Sequence, residues 1–306
     1  MTQLLASIDL GSHTARLMIA RRSASSSGEL TPLVRRRAYI RLAADSEPGY
    51  EREIGPDATA RVLNVMRDFA RLIADFNVQQ VYAVATGIIR DAINRHQFLA
   101  HIYEQTGIRI GLISGEREAL LSGKGALAAL NITGPYLIFD LGAGTTEFLY
   151  EVGEKPGAIS IPLGAAVLTK KFIRSDPPGE TELDAISREI ARRLQYVPAD
   201  FGGDPVVIGT GGTVTTLAAM LHGILYDDIT PEKVNGLSLT LPQLEACFER
   251  MKSLNTAQRV ERLRLDPARA DVIVAGSLVV TGIMRFGGVF DLLVSMSDLL
   301  EGLLIE

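Results

Sequence analysis

The chain has one cysteine, no tryptophan and only four histidines among its 306 residues. A lone cysteine excludes a disulfide framework and a cysteine-based zinc site. Cys247 sits in Leu-Glu-Ala-Cys-Phe-Glu-Arg-Met at helical spacing and reads as an inert core thiol. His96, His101 and His222 are scattered without metal-ligand spacing, and no Ser-His-Asp or Cys-His pairing is indicated. Long hydrophobic runs are also missing: the longest, within 272–284, falls short of the roughly 20 residues that span a bilayer. The first ten residues, MTQLLASIDL, carry neither a basic region nor a long apolar one, so no secretory leader and no membrane partner are expected. A cytoplasmic protein is the simplest expectation. Neither charge sign dominates: 31 Lys+Arg against 36 Asp+Glu leaves a net charge of −5. That balance argues against bulk nucleic-acid binding and leaves room for a local anion-binding cleft.

What is present is a globular composition, 47% hydrophobic and 22% charged, which excludes a disordered chain. This length suits two domains better than one core. Residues 4–9, 15–22 and 29–40 read as three antiparallel strands, with a Ser-rich hairpin tip at 23–28. Asp57 is placed to cap a helix with an apolar face of Val62, Met66, Phe69, Ile73 and Phe76. A strand over 78–86, a helix from Asn94 to near Gly107, a strand over 108–114 and a helix over 116–130 complete the first half. The second half reads as strands over 135–151 and 158–163, a helix over 180–196 and a strand over 205–209. Helices over 213–221, 241–254 and 267–286, a strand over 292–296 and a short terminal helix follow.

The pattern restarts once. Ile8-Asp9-Leu10-Gly11-Ser12-His13-Thr14-Ala15-Arg16-Leu17 aligns with Phe139-Asp140-Leu141-Gly142-Ala143-Gly144-Thr145-Thr146-Glu147-Phe148 in one register. The spacing is far too long for a solenoid period and fits a duplicated domain. The turn-rich segment 131–135 suggests a boundary there, giving domains 1–132 and 133–306.

In each copy a strand delivers a carboxylate into a Gly-containing turn. Glycines let backbone N–H groups approach an anion closely, and Thr145 adds a hydroxyl donor. A strand-end Asp suits hydrated Mg²⁺, which takes one or two carboxylates and completes its shell with water and phosphate. A third element, Val206 to Thr213, runs an apolar strand into Gly211-Gly212 at a helix N-terminus, an anion-binding arrangement. It lacks the Gly-Lys-Ser/Thr of a P-loop.

These three turns together resemble the two phosphate loops and the nucleoside-side loop of the sugar kinase, heat-shock chaperone and actin superfamily. Within it, Ala85-Thr-Gly-Ile-Ile-Arg90-Asp-Ala-Ile-Asn94, Ile113-Ser-Gly-Glu-Arg-Glu118-Ala119, Arg269 to Gly276 and Glu301-Gly-Leu-Leu304 resemble the exopolyphosphatase and guanosine pentaphosphate phosphohydrolase family. The resemblance implies two ribonuclease-H-like, actin-type α/β domains around a central cleft. It implies metal-dependent release of orthophosphate from the end of inorganic polyphosphate or from a guanosine polyphosphate, with Mg²⁺ or Mn²⁺ as cofactor. On this resemblance Glu118 is the general base, Asp9 and Asp140 are metal-side carboxylates, and Glu147 closes the second loop. Arg16, Arg90 and Arg269 hold phosphate oxygens, with Gly11, Ser12, Gly142, Gly144, Thr145, Gly211 and Gly212 lining the phosphate loops. These residue types suit phosphoryl transfer, which rests on positioning and charge neutralisation. A homodimer stays open.

The sequence departs from the family pattern at His13, where Asn is usual, and at Glu116-Arg117-Glu118, which shifts the usual acidic pair. It departs again at Asp298 and Leu300, where a basic residue is lost. Two rival readings remain. One is a nucleotide- or polyphosphate-binding regulatory protein with weak or no turnover; the other is a kinase-like transferase. The basic run Arg35-Arg36-Arg37 with Arg41 reads as a solvated strand face.

Overall fold

The computed structural model describes residues 3–23, 29–42, 53–152, 155–198 and 205–306. The chain forms two compact units, residues 1–121 with 299–306, and residues 122–298.

The first unit contains β1 (Gln3–Leu10), β2 (Thr14–Arg22), β3 (Leu30–Tyr39), α1 (Pro56–Asp75), β4 (Gln80–Ala85), α2 (Ile88–Asp91), α3 (Arg95–Thr106) and β5 (Gly111–Leu112). Helix α4 (Gly115–Leu130) follows. The second unit continues with β6 (Tyr136–Leu141), β7 (Thr146–Val152), β8 (Lys155–Ile161), α5 (Ala165–Phe172), α6 (Glu180–Leu194), β9 (Val206–Thr210) and α7 (Gly212–Leu221). Then come α8 (Pro231–Val234), β10 (Ser238–Thr240), α9 (Leu241–Lys252), α10 (Thr256–Leu263), α11 (Ile273–Phe286) and β11 (Asp291–Val294). The last helix, α12 (Leu299–Ile305), belongs to the first unit.

The first sheet has the order β3-β2-β1-β4-β5, with β1 antiparallel to β2 and parallel to β4. Alternate residues of β1 face opposite ways. Ala6, Ile8 and Leu10 pack with Val62, Met66 and Phe69 of α1 and Phe98 and Ile102 of α3. Leu5 packs instead with Met18, Ala20, Leu300 and Leu304. Leu300, singled out as a departure from the family pattern, is therefore part of an apolar core.

The second sheet has the order β10-β11-β9-β6-β7-β8, with β6 antiparallel to β7 and parallel to β9. Read from the other edge, β8-β7-β6-β9-β11 repeats β3-β2-β1-β4-β5 in order and strand direction, with β10 added at the edge. The duplication legible in the sequence is thus a duplicated topology. Its apolar layer joins Leu137, Phe139, Leu141 and Phe148 to Leu183, Ile186 and Ile190 of α6 and to the buried length of α11.

Several elements differ from expectation. Gly55, with Pro56 at the first helical position, caps α1, and Asp57 lies in its first turn, where its charge favours the helix dipole. The strand expected over 108–114 pairs with β4 only at Gly111 and Leu112, although Ile108 and Ile110 are buried. The helix expected from 267 begins at Ile273. The division between units lies inside α4, ahead of the boundary expected near 132, because Ser122 bonds to β6 and Gly123 packs on Leu149 of β7. The hairpin tip expected at 23–28 lies, beyond Ser23, outside the described residues.

Candidate functional site

In the first unit Asp9, 5% exposed, is the penultimate residue of β1 and stands directly opposite Arg16 in the β1–β2 ladder. Arg16 Nε and Nη2 both donate to Asp9 Oδ2, at 2.9 and 2.7 Å. The fork expected to reach phosphate thus grips a carboxylate on the neighbouring strand. Between them the turn closes with Gly11 N–H donating to Thr14 O at 3.0 Å. Ser12 Oγ accepts the Ile88 N–H at 2.8 Å, which ties this turn to the corner after β4. Gly87 makes that approach possible: its φ is +53°, and a side chain there would overlap Ser12 Oγ. His13 packs edge-on against Tyr39, its ring centroid 5.4 Å away.

Glu118 lies in the first turn of α4 and is 8% exposed. Arg90, on the short helix α2, donates from Nη1 to Glu118 Oε2 at 3.1 Å and to Ile113 O at 3.4 Å. Two residues 28 positions apart, both expected at the site, therefore form one ion pair. The nearby Glu116 is exposed, and its carboxyl is held below the ordinary range by its own backbone N–H and then by the Ser114 hydroxyl.

In the second unit the equivalent hairpin closes the same way, Gly142 N–H donating to Thr145 O at 3.0 Å. The Gly142 and Ala143 carbonyls accept from Ala165 and Ala166 at the start of α5, which fixes the turn that contains Gly144. Asp140 stands opposite Glu147 on β7 and Thr210 on β9. Ser122 Oγ donates to Asp140 Oδ2 at 3.0 Å, and Ser160 Oγ to Glu147 Oε1 at 2.7 Å. Glu147 is 2% exposed. Next to Asp140, Gly211 has φ +93°, and an added Cβ would lie 3.1 Å from Asp140 Oδ1. Gly212 opens α7, and an added Cβ would overlap the Arg269 guanidinium, so Arg269 lies flat against that helix N-terminus. Amide N–H groups at a helix N-terminus together with a guanidinium make a strong oxyanion receptor.

Asp140 fits a hydrated divalent ion. It offers a carboxylate beside a glycine that leaves space, and the buried Thr210 Oγ1 across the ladder has no hydrogen-bond partner among the described residues. Among the described residues no group of three or more His, Cys, Asp or Glu is placed to hold a metal. In the first unit, Asp9 has its Oδ2 engaged by Arg16, which leaves that carboxylate less open to any metal ion.

Sequence reasoning did not pick out Ser122, Ser160, Thr210 or Arg259. Ser122 lies four residues after Glu118 along α4, a spacing that marks one helix face, and that signal was available. Arg259, 2% exposed, donates to Met251 O at 3.1 Å and to Ala270 O at 3.0 Å, bracing the segment that carries Arg269. Only the tertiary structure reveals it. The basic run is also accounted for: Arg35 pairs with Glu301, and Arg37 lies 5.2 Å over the Tyr39 ring.

The model of the Ppx/GppA phosphatase family matches residues 18–305. Exopolyphosphatase 2 of Mycobacterium tuberculosis is 31% identical, covering 99% of this chain and 98% of that protein. Exopolyphosphatase 1 of Mycobacterium bovis is 29% identical over 98% of this chain and 86% of its own length. A crystal structure of the Aquifex aeolicus Ppx/GppA family member superposes with a TM-score of 0.85 at 30% identity, covering 100% of this chain and 97% of that one. The fold is therefore the two-domain actin-like α/β fold of those structures. Among the described residues no helix is long and apolar enough to cross a membrane.

Proposed function

The chain belongs to the Ppx/GppA phosphatase family and is a phosphohydrolase of that family, and from that premise we propose that it releases orthophosphate, with a divalent metal, from the end of inorganic polyphosphate. Guanosine pentaphosphate is the second substrate of this reading. The observation that carries it is the Arg90–Glu118 pair: a nearly buried carboxylate held in one orientation at a helix N-terminus by a guanidinium.

Hydrolysis of a phosphoanhydride forms a bond from water oxygen to the terminal phosphorus and breaks the bridging P–O bond. The water loses a proton and orthophosphate departs. In this reading Glu118 accepts a hydrogen bond from the water and takes up its proton as the new bond forms. Arg90 fixes the carboxylate in place, and its other N–H groups face the negative phosphate oxygens. In the second unit the α7 amides at Gly211 and Gly212, with Arg269, hold phosphate oxygens. Asp140, oriented by Ser122, is the residue of the second unit that would hold Mg²⁺. When bound, the ion supplies neutralisation of charge spreading over the phosphate oxygens. Gly11, Ser12, Gly142, Gly144 and Thr145 contribute backbone and hydroxyl donors, and Glu147 braces the second hairpin through its place opposite Asp140.

A regulatory binding protein with weak or no turnover is the second reading, favoured by the buried, apolar Leu300 where a basic residue is usual. Phosphate release from long-chain polyphosphate, from guanosine pentaphosphate and with either Mg²⁺ or Mn²⁺ separates the two readings: sustained release supports hydrolysis, and tight binding without release supports the regulator.

A further inference from the structure

Beside the Arg90–Glu118 pair lies a cleft of about 790 Å³, lined by Ile88, Arg90, Asp91, Arg95, Ile113 and Ser114 among others. It is far larger than one phosphate group. Its lining carries two guanidinium groups and one carboxylate, and that carboxylate, Asp91, is largely exposed and 3.9 Å from Arg90 Nε. Arg95 occupies an unfavourable position. It is the first residue of α3, where the helix dipole disfavours a cation. The capping residue Asn94 does not offset this, because its side chain bonds to the backbone of Ile54 instead. The one side-chain hydrogen bond Arg95 makes among the described residues is from Nη1 to Ala92 O at 3.1 Å, and no carboxylate among them lies within ion-pair range of its guanidinium. A guanidinium at the positive end of a helix, unneutralised and facing a polar cleft, is an anion receptor in want of an anion.

From this geometry we infer that Arg95 binds a phosphate of the substrate chain other than the one being hydrolysed. Arg90, which also holds Glu118, and Arg95 both line this cleft, so a chain whose end is engaged at Arg90 has a second cation within the same cleft. Arg95 is then a determinant of preference for long polyanions over short ones. This inference rests on the polyphosphate reading above and adds a residue and a chain-length preference to it.

The test is calorimetric binding in EDTA, which suppresses turnover, of long-chain polyphosphate and of inorganic phosphate to the wild-type chain, Arg95→Ala, Arg95→Gln and Arg95→Lys. The Ala and Gln variants should bind the long chain about tenfold or more weakly, the scale of one charge-assisted hydrogen bond. Binding of inorganic phosphate should change less than about twofold, and Lys should restore part of the loss. Thermal melts of the two neutral variants, one retaining a polar side chain, check the fold. Equal affinities in wild type and both neutral variants overturn the inference, as does an equal loss for inorganic phosphate or a wild type that does not bind the long chain. The hydrolase reading fails separately: a wild type that binds polyphosphate and releases no phosphate refutes turnover and leaves the role of Arg95 standing.

Discussion

Arg90 Nη1 lies 3.1 Å from Glu118 Oε2, and the same nitrogen reaches the Ile113 carbonyl just before the helix that carries Glu118. One guanidinium thus holds both a carboxylate and the strand end that leads to it. Arg90→Ala should lower the turnover number by about tenfold or more, the range for losing a hydrogen bond to a charged group. Arg90→Lys should recover only part of it, since a single ammonium that holds Glu118 lacks the guanidinium's further N–H groups. Steady-state phosphate release checks both; full activity in Arg90→Lys would show that charge alone matters.

Gly211 and Gly212 are adjacent and should fail differently when changed to alanine. At Gly211 the φ of +93° and the nearby Leu141 carbonyl leave no place for a methyl group, so Gly211→Ala should destabilise the protein by about 1–3 kcal/mol in chemical denaturation. At Gly212 the clash is with the flexible end of Arg269. Gly212→Ala should keep near-normal stability and lose substrate binding to the same degree as Arg269→Ala. Equal destabilisation by both alanines would contradict this.

Ser122 orients Asp140 through one hydrogen bond, so Ser122→Ala should raise the Mg²⁺ concentration required for half-maximal turnover, and Asp140→Ala should abolish metal-dependent turnover with the fold intact. Metal titrations of phosphate release, with circular dichroism as the fold control, decide it. Wild-type metal dependence in Asp140→Ala sinks the assignment of that carboxylate to the ion.

The duplicated hairpins were legible because their chemistry is local. Asp, Gly and Thr recur at fixed spacing, and the Gly11–Thr14 and Gly142–Thr145 closures depend on that spacing alone. The Arg90–Glu118 pair was legible residue by residue but not as a pair, since 28 positions of sequence separate its members. Ile108 and Ile110 look like a strand because they are apolar; they are buried by packing, while the ladder covers only two residues. Helix α10 escaped notice because its apolar content is low and its cap, Asn255 with Gln258, is its clearest signal. Arg259, on that helix, reads as a surface cation until its carbonyl partners are known.

Away from the candidate site, Glu189 is held at about 2, below its ordinary 4.5, chiefly by hydrogen bonds from Arg192 and then Arg193, with Lys171 adding attraction against partial burial. A carboxylate depressed in the folded state adds stability that is complete above about pH 4.5 and is lost as pH falls towards about 2. Glu189→Gln should therefore melt below the wild type at pH 7, and the gap should close as pH approaches 2. A gap that stays constant with pH would assign the effect to packing.

The assignment of Glu118 to the attacking water is decided by release of orthophosphate from long-chain polyphosphate with saturating Mg²⁺, measured for the wild type, Glu118→Gln and the exposed neighbour Glu116→Gln. The wild type and Glu116→Gln should release phosphate steadily. For Glu118→Gln the turnover number should be lower by roughly 10²–10⁴-fold, the usual contribution of a general base, with little change in binding. A wild type that binds polyphosphate without releasing phosphate, or a Glu118→Gln variant as active as the wild type, would contradict the assignment.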